Sequence, residues 1–290
     1  MSSYLESRIA GVVDADDVQI GKGVVVEEGA VITGKGGPAE RVVLGDFCYV
    51  GRGVRVLAPE FILGDYSKLH ADSFGHGVYP LRIGRNCWIG GNVVLDSQGG
   101  LDISDNVGIG SGSQLWSHIQ FGDVVQGCRF RSRKYLHVQE DAWFVGHCLV
   151  SPVMVGRRSM ALLGSVVTHD MDENRVYAGT PAKDVTGSVG PQFEDVTLGQ
   201  KVETLEKILA EFEERHPEHS GRIRLHPGGE NIEEGITYLD PHDRTYVRTQ
   251  SQAEVAFLNA HVPLVKLTPK GVPLFFDPSP PRQDEQTFLW

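Results

Sequence analysis

Ile103-Ser104-Asp105-Asn106-Val107-Gly108-Ile109-Gly110-Ser111-Gly112-Ser113-Gln114-Leu115-Trp116-Ser117-His118-Ile119-Gln120-Phe121 places an aliphatic or aromatic side chain at every sixth position: Ile103, Ile109, Leu115 and Phe121. The same step links Ile83, Ile89 and Leu95, then Ile20, Val26 and Ile32, and also Leu44, Val50 and Val56. A period of six is too long for one face of an amphipathic helix and does not match the alternation of an ordinary strand. It fits a mainly β fold, a parallel β-helix in which three hexads make one triangular coil.

The composition agrees. The 35 glycines among 290 residues suit a chain that turns tightly at every side of a coil. A net charge of −11 argues against a general nucleic-acid partner, while leaving room for a local basic pocket. No apolar run reaches the roughly 18 residues that a membrane span requires, and Met1 to Gly11 lacks the layout of a signal peptide, so the expected compartment is the cytoplasm. Cys48, Cys87 and Cys148 occupy the small inward slot of their hexads and read as buried thiols. Cys128 falls outside the repeats, and no Cys-x-x-Cys pair suggests zinc.

The repeats run from near Val12 to near Met171, with expected loops at 34–42, 74–82 and, longest, 124–136 just after Phe121. Inserts from a rigid coil are common places for function. The expected organisation is a β-helix over 1–190, a linking helix within 191–220 and a small α/β segment over 221–290. Val202, Leu205, Leu209 and Phe212 form the helical stripe, and Ser251-Gln252-Ala253-Glu254 opens a second helix as a capping box. Short strands are expected at Ile223–Leu225, Gly235–Leu239 and Thr245–Arg248, and the proline-rich 278–282 is expected to be extended or mobile.

A series of motifs follows from Gln139 to Lys183: Asp141-Ala142-Trp143-Phe144-Val145-Gly146-His147, Ser151-Pro152, Val155-Gly156, Gly164-Ser165-Val166-Val167-Thr168 and Ala178-Gly179-Thr180-Pro181-Ala182-Lys183. In this order they resemble the hexapeptide-repeat acyltransferases, in the branch of galactoside, maltose and xenobiotic O-acetyltransferases. The resemblance implies a left-handed β-helix, a homotrimer and transfer of an acyl group, acetyl by default, from coenzyme A. The acceptor is expected to be a hydroxyl or amine of a sugar or nucleotide sugar, in surface-polysaccharide tailoring. No metal is expected and no covalent enzyme intermediate is required.

Acyl transfer from a thioester needs a base for the acceptor and a donor for the developing oxyanion. His70, His76, His118, His137 and His147 lie in or beside the coil. His118 matches the family's catalytic histidine and is the expected general base. The hexad count places His147 directly over His118, roughly 5 Å along the axis. Trp143, matching the family's active-site tryptophan, His147, Asn92 and Arg131 are the expected acceptor residues. Arg131 belongs to a cluster with Arg129, Arg133 and Lys134 that would suit an anionic ligand. For coenzyme A, Gly146, Gly164 and Ser165 are expected to line a narrow groove. Thr180 and Lys183 match the family's nucleotide-end contacts, with Arg157 and Arg158 as phosphate partners. Trp88 and Trp116 read as packing residues.

Two other classes compete with this reading. A non-catalytic β-helix scaffold would not need His118, Trp143 and the Ala178–Lys183 motif together. A γ-carbonic-anhydrase-like metalloenzyme needs paired histidines, and no His-x4-His pair lies within the coil.

Overall fold

The computed structural model describes residues 4–226, 233–273 and 276–280. Strands of two to six residues alternate with short corners, and along the coil each strand pairs in parallel with the one a turn away. Three sheets result, making a three-sided parallel β-helix. The first face carries Tyr49–Val50, Lys68–Leu69, Trp88–Ile89, Gly108–Ile109, Trp143–Phe144 and Met160–Ala161. The second carries Arg55–Leu57, Phe74–His76, Val94–Asp96, Gln114–Leu115, Leu149–Val150 and Val166–Val167. The third carries Ala39–Leu44, Glu60–Leu63, Leu81–Ile83, Leu101–Ile103, Leu136–Val138 and Met154–Val155.

The sixth residues of the coil fill its axis, except Ile20 in the first turn, which is exposed. Ile83, Ile89, Ile103, Ile109 and Leu115 are fully buried, as are Val26, Ile32, Val50 and Val56. Cys48, Cys87 and Cys148 are buried free thiols in the same interior. Burying an aliphatic side chain this completely stabilises by about 1.5–3 kcal/mol before chain entropy is counted. Corners at the junction of first and second faces repeat one left-handed backbone position at Asp72, Asn92, Gly112, His147 and Gly164. The junction of third and first faces repeats it at Tyr66, Asn86, Asn106, Asp141, Arg158 and Asn174.

The period misleads at three places. Phe121 continues the count of six yet is fully exposed, because the chain has already left the coil. His118–Gln120 pairs antiparallel with Arg131–Arg133 in a hairpin that projects from the junction of second and third faces, and Leu136 resumes the coil. The excursion therefore begins six residues earlier than the expected 124–136. The expected loop at 74–82 is instead Phe74–His76 and Leu81–Ile83 with a corner between, and in the 34–42 stretch the strand Ala39–Leu44 begins by Ala39.

The hairpin also shifts the register. Leu115 pairs with Val150, and Phe144 pairs with Ile109. Ser113 and Cys148 become neighbours although 35 residues apart, against 20 for Asn86 and Asn106. His147 consequently lies over Gly112, where a Cβ would meet the His147 ring at 2.5 Å, and not over His118.

The chain divides into two units, one of residues 1–193 with the end of the chain from 275 on, the other 194–274. In the second unit Leu198–Arg215 is a helix whose Thr197 and Gln200 form a reciprocal capping box, with Leu205, Leu209 and Phe212 buried. Ile223–Leu225, Thr237–Asp240, Thr245–Tyr246 and Thr268–Pro269 make a four-stranded sheet, and the helix Gln252–His261 follows. Ser251 caps that helix through Glu254 N, while the buried Glu254 carboxylate turns to Thr249 and Gln250. Within the coil's unit, Phe276 packs on Val43 and Ile62 of the third face, and Ser279 N donates to Asp102 at 3.2 Å. Residues 281–282 of the expected proline-rich stretch lie outside the described residues.

Candidate active site

Asp96 ends a strand of the second face and is fully buried. An isolated buried carboxylate is costly, so its neighbours are informative. One oxygen, Oδ1, accepts from Gln98 N at 3.0 Å, Ser117 N at 3.2 Å and Ser117 Oγ. Ser117, itself fully buried, also accepts at Oγ from Gly99 N at 2.8 Å, and its carbonyl accepts from Lys134 N at 2.9 Å. These bonds fix the point where the hairpin leaves the coil.

The other oxygen, Oδ2, faces two imidazoles. His118 Nδ1 lies 2.6 Å away and His76 Nε2 lies 3.7 Å away. The His118 contact has ion-pair distance without a well-aligned hydrogen bond. With Nδ1 turned to the carboxylate, Nε2 is the nitrogen left to exchange a proton with a substrate. The His118 side chain is 24% exposed, while the Asp96 side chain is fully buried. Trp116 stands 6.3 Å from the His118 ring and 6.4 Å from the His76 ring, and Phe74 stacks on His76 at 4.8 Å. Burial lowers the pKa of His76, opposed by the Asp96 charge and aided by His118 and Lys35.

The remaining expected residues are spread around the coil. Trp143 is on the first face, 44% exposed, with its indole against Gly108. Asn92, His147 and Gly164 share the corner column between first and second faces, and Gly146 and Ser165 flank it. Ser165 is fully buried: its hydroxyl donates to Leu162 O at 2.6 Å, its N–H donates to the same oxygen at 3.1 Å, and its carbonyl accepts from Leu149 N at 2.9 Å. Arg157 holds Glu173 at 2.7 Å, and the Arg158 guanidinium lies 3.8 Å from Asp141 and 5.0 Å from the Phe193 ring centre. Thr180 and Lys183 are exposed at the last turn of the coil, where Lys183 pairs with Ala178. Arg131 sits on the hairpin opposite Gln120, and Arg133 stands opposite His118.

The other histidines have their own surroundings. The His70 ring contacts Trp88 at 4.4 Å and Tyr49 at 5.7 Å, and burial lowers its pKa, helped by the Lys68 charge. His137 Nε2 is 3.0 Å from Ser104 Oγ, and burial lowers its pKa against the pull of Asp102 and Glu140. Among the described residues no group of three or more His, Cys, Asp or Glu could hold a metal ion. Nor is any helix there long and apolar enough to cross a membrane.

Asp96, His76, Trp116 and Phe74 were not singled out as site residues from the sequence. Asp96 directly follows the inward Leu95 and looks like any acidic corner residue. The residue that singles it out, Ser117, lies 21 positions away.

Known proteins were compared with the chain. No family model matches it. The bifunctional proteins GlmU of two Listeria monocytogenes strains are each 28% identical over 184 residues, 54% of this chain and 37% of theirs, so the chain spans little more than a third of their length. Among solved structures, the polysialic acid O-acetyltransferase OatWY is 16% identical with a TM-score of 0.48, over 59% of this chain and 86% of that one. The polySia-specific acetyltransferase NeuO is 21% identical with a TM-score of 0.43, over 60% and 85%. A mutant of AntD, an N-acyltransferase from Bacillus cereus crystallised with dTDP and coenzyme A, is 14% identical with a TM-score of 0.42, over 67% and 91%.

Proposed function

We propose that the chain is a coenzyme A-dependent acyltransferase that transfers an acyl group, acetyl by default, to a hydroxyl or amine of a sugar or sugar-like acceptor. The observation that carries this reading is the buried Asp96 carboxylate 2.6 Å from His118 Nδ1 at the root of the hairpin. The carboxylate fixes the ring orientation and stabilises the imidazolium formed when Nε2 takes the acceptor's proton. The acceptor oxygen or nitrogen attacks the thioester carbonyl, and a backbone N–H holds the oxyanion. Collapse breaks the carbon–sulfur bond, and His118 returns its proton to the leaving thiolate. No bond to the enzyme forms.

Gly146, Gly164 and Ser165 line the proposed coenzyme A groove, with Thr180 and Lys183 at its nucleotide end. Arg157 and Arg158 would have to leave Glu173 and Asp141 to join it. This groove follows the corner between first and second faces, and His118 stands at the corner between second and third. We therefore place a complete site between copies in a homotrimer, the His118 corner of one beside the glycine corner of the next. Trp116 and Phe74 give the acceptor aromatic faces beside the base, and Arg129, Arg131, Arg133 and Lys134 suit a nucleotide-linked sugar. Trp143 and His147 serve the site only across such an interface. A cytoplasmic role in polysaccharide tailoring belongs to the same proposal.

Calorimetric titration with acetyl-coenzyme A tests it. One site per chain at micromolar affinity, followed by thiol release with amino sugars, nucleotide sugars or simple glycosides, is the expected outcome. No binding at millimolar ligand would overturn it and favour a non-catalytic coil. Light scattering should give three times 31.8 kDa.

A further inference from the structure

Asp96 presents one carboxylate oxygen to two imidazoles, and the reaction proposed above uses only one of them. The two rings are held differently. His76 lies in strand register with Asp96, one coil away, and its carbonyl accepts from Ser97 N at 2.7 Å and Ser97 Oγ at 3.3 Å. Its ring is stacked on Phe74, 20° from coplanar, with Trp116 edge-on beyond. His118 opens the hairpin and meets Asp96 and the Trp116 ring. Thus one imidazole is locked to the coil and the other stands at the base of a projecting arm.

We propose that His76 is a positioning residue: by standing over Asp96 Oδ2 it holds the carboxylate against His118 and sets the pH at which His118 takes up a proton. The charged groups around the pair are few. Among the described residues, Asp96, His118 and Lys35 act on His76, Asp96 and His76 face His118, and Arg133 stands opposite His118 in the hairpin register. Burial is the largest influence on His76 and favours its neutral form. A neutral ring oriented with Nε2–H toward Oδ2 draws charge from the oxygen that His118 uses, which makes His118 a weaker base. Removing the His76 nitrogens therefore raises the pH at which His118 titrates.

The full chain labelled with ¹⁵N-histidine allows this to be read by ring-nitrogen NMR against pH, with no ligand present. In His76→Phe, which keeps a flat ring on Phe74 but loses both nitrogens, the His118 midpoint should rise by about one unit. In an Asp96→Asn background the same substitution should move it no further. An unmoved His118 midpoint in His76→Phe would reduce His76 to packing. An equal shift with and without the Asp96 carboxylate would mean that the two rings act directly on each other, which also overturns the proposal. Should His76→Phe fail to fold, His76→Asn, too short to reach Oδ2, replaces it and must give the same rise. The kinetic counterpart, an equal shift in the acid limb of kcat/KM, rests on His118 being the base. The NMR result does not, so failure of the transferase reading and failure of this one are told apart.

Discussion

His147 and His118 stand at adjacent corners of the coil, on either side of the second face, and their surroundings differ in kind. His147 is exposed, has φ +49°, and takes the position that Asn92 and Gly112 take in the turns before it. It occupies a backbone niche that glycine or asparagine would fill with less strain. His118 keeps an ordinary strand conformation and spends its ring on a buried carboxylate. One corner selects for backbone and the other for a side chain. In a repeating coil a polar residue is informative only after its corner's conformational demand has been subtracted.

The contrast can be broken most decisively at the ring itself. His118→Ala should cut kcat by about 10²–10⁴ while leaving coenzyme A affinity nearly intact, as steady-state kinetics and calorimetry would show. Equal loss of both would make His118 a binding residue. On the glycine side the largest effect is on folding. A Cβ at Gly110 would run into the Val145 carbonyl of the next turn, so Gly110→Ala should cost about 3 kcal/mol in denaturant unfolding. Unchanged stability would mean that the coils can spread apart.

Asp96→Asn should slow turnover about tenfold to a hundredfold, because it disturbs the orientation of the base without removing it. A wild-type rate would leave the 2.6 Å contact without a catalytic part. His147→Gly should raise stability by about 1 kcal/mol by relieving the left-handed backbone. If it instead abolishes turnover with the fold intact, His147 serves the neighbouring copy's site.

The smallest effect is the pH dependence of stability. His70, His76 and His137 all have pKa values depressed by burial, so the unfolded chain binds more protons as pH falls through about 6.5. Their contribution is therefore present at neutral pH and lost on acidification. The melting temperature should fall between about pH 7.5 and pH 5.5, and a flat profile would mean that these rings are solvated.

The coil itself was legible because an apolar sixth residue is buried wherever further turns lie on both sides of it, as Ile103, Ile109 and Leu115 show and as exposed Ile20 in the first turn shows by contrast. Phe121 shows where that reading ends. It obeys the period by residue type, but the backbone has left the axis at His118. From there every vertical relation beyond Leu115 was displaced, which separated His147 from His118. His118 could be singled out from its chemistry and from the resemblance. Its partner could not, because the distinction of Asp96 is made by Ser117 and His76, which only the stacking of coils brings together.

Phe276 on Val43 and Ile62, with Ser279 on Asp102, has an architectural consequence. The chain leaves the coil's unit after Phe193 and is bound to it again by Phe276. The 194–274 unit is thus a cassette spliced between two anchored stretches of one chain, not a pendant at its end. Such a cassette can be lengthened, exchanged or lost over evolutionary time while the rungs on which Asp96 and His118 meet stay where they are.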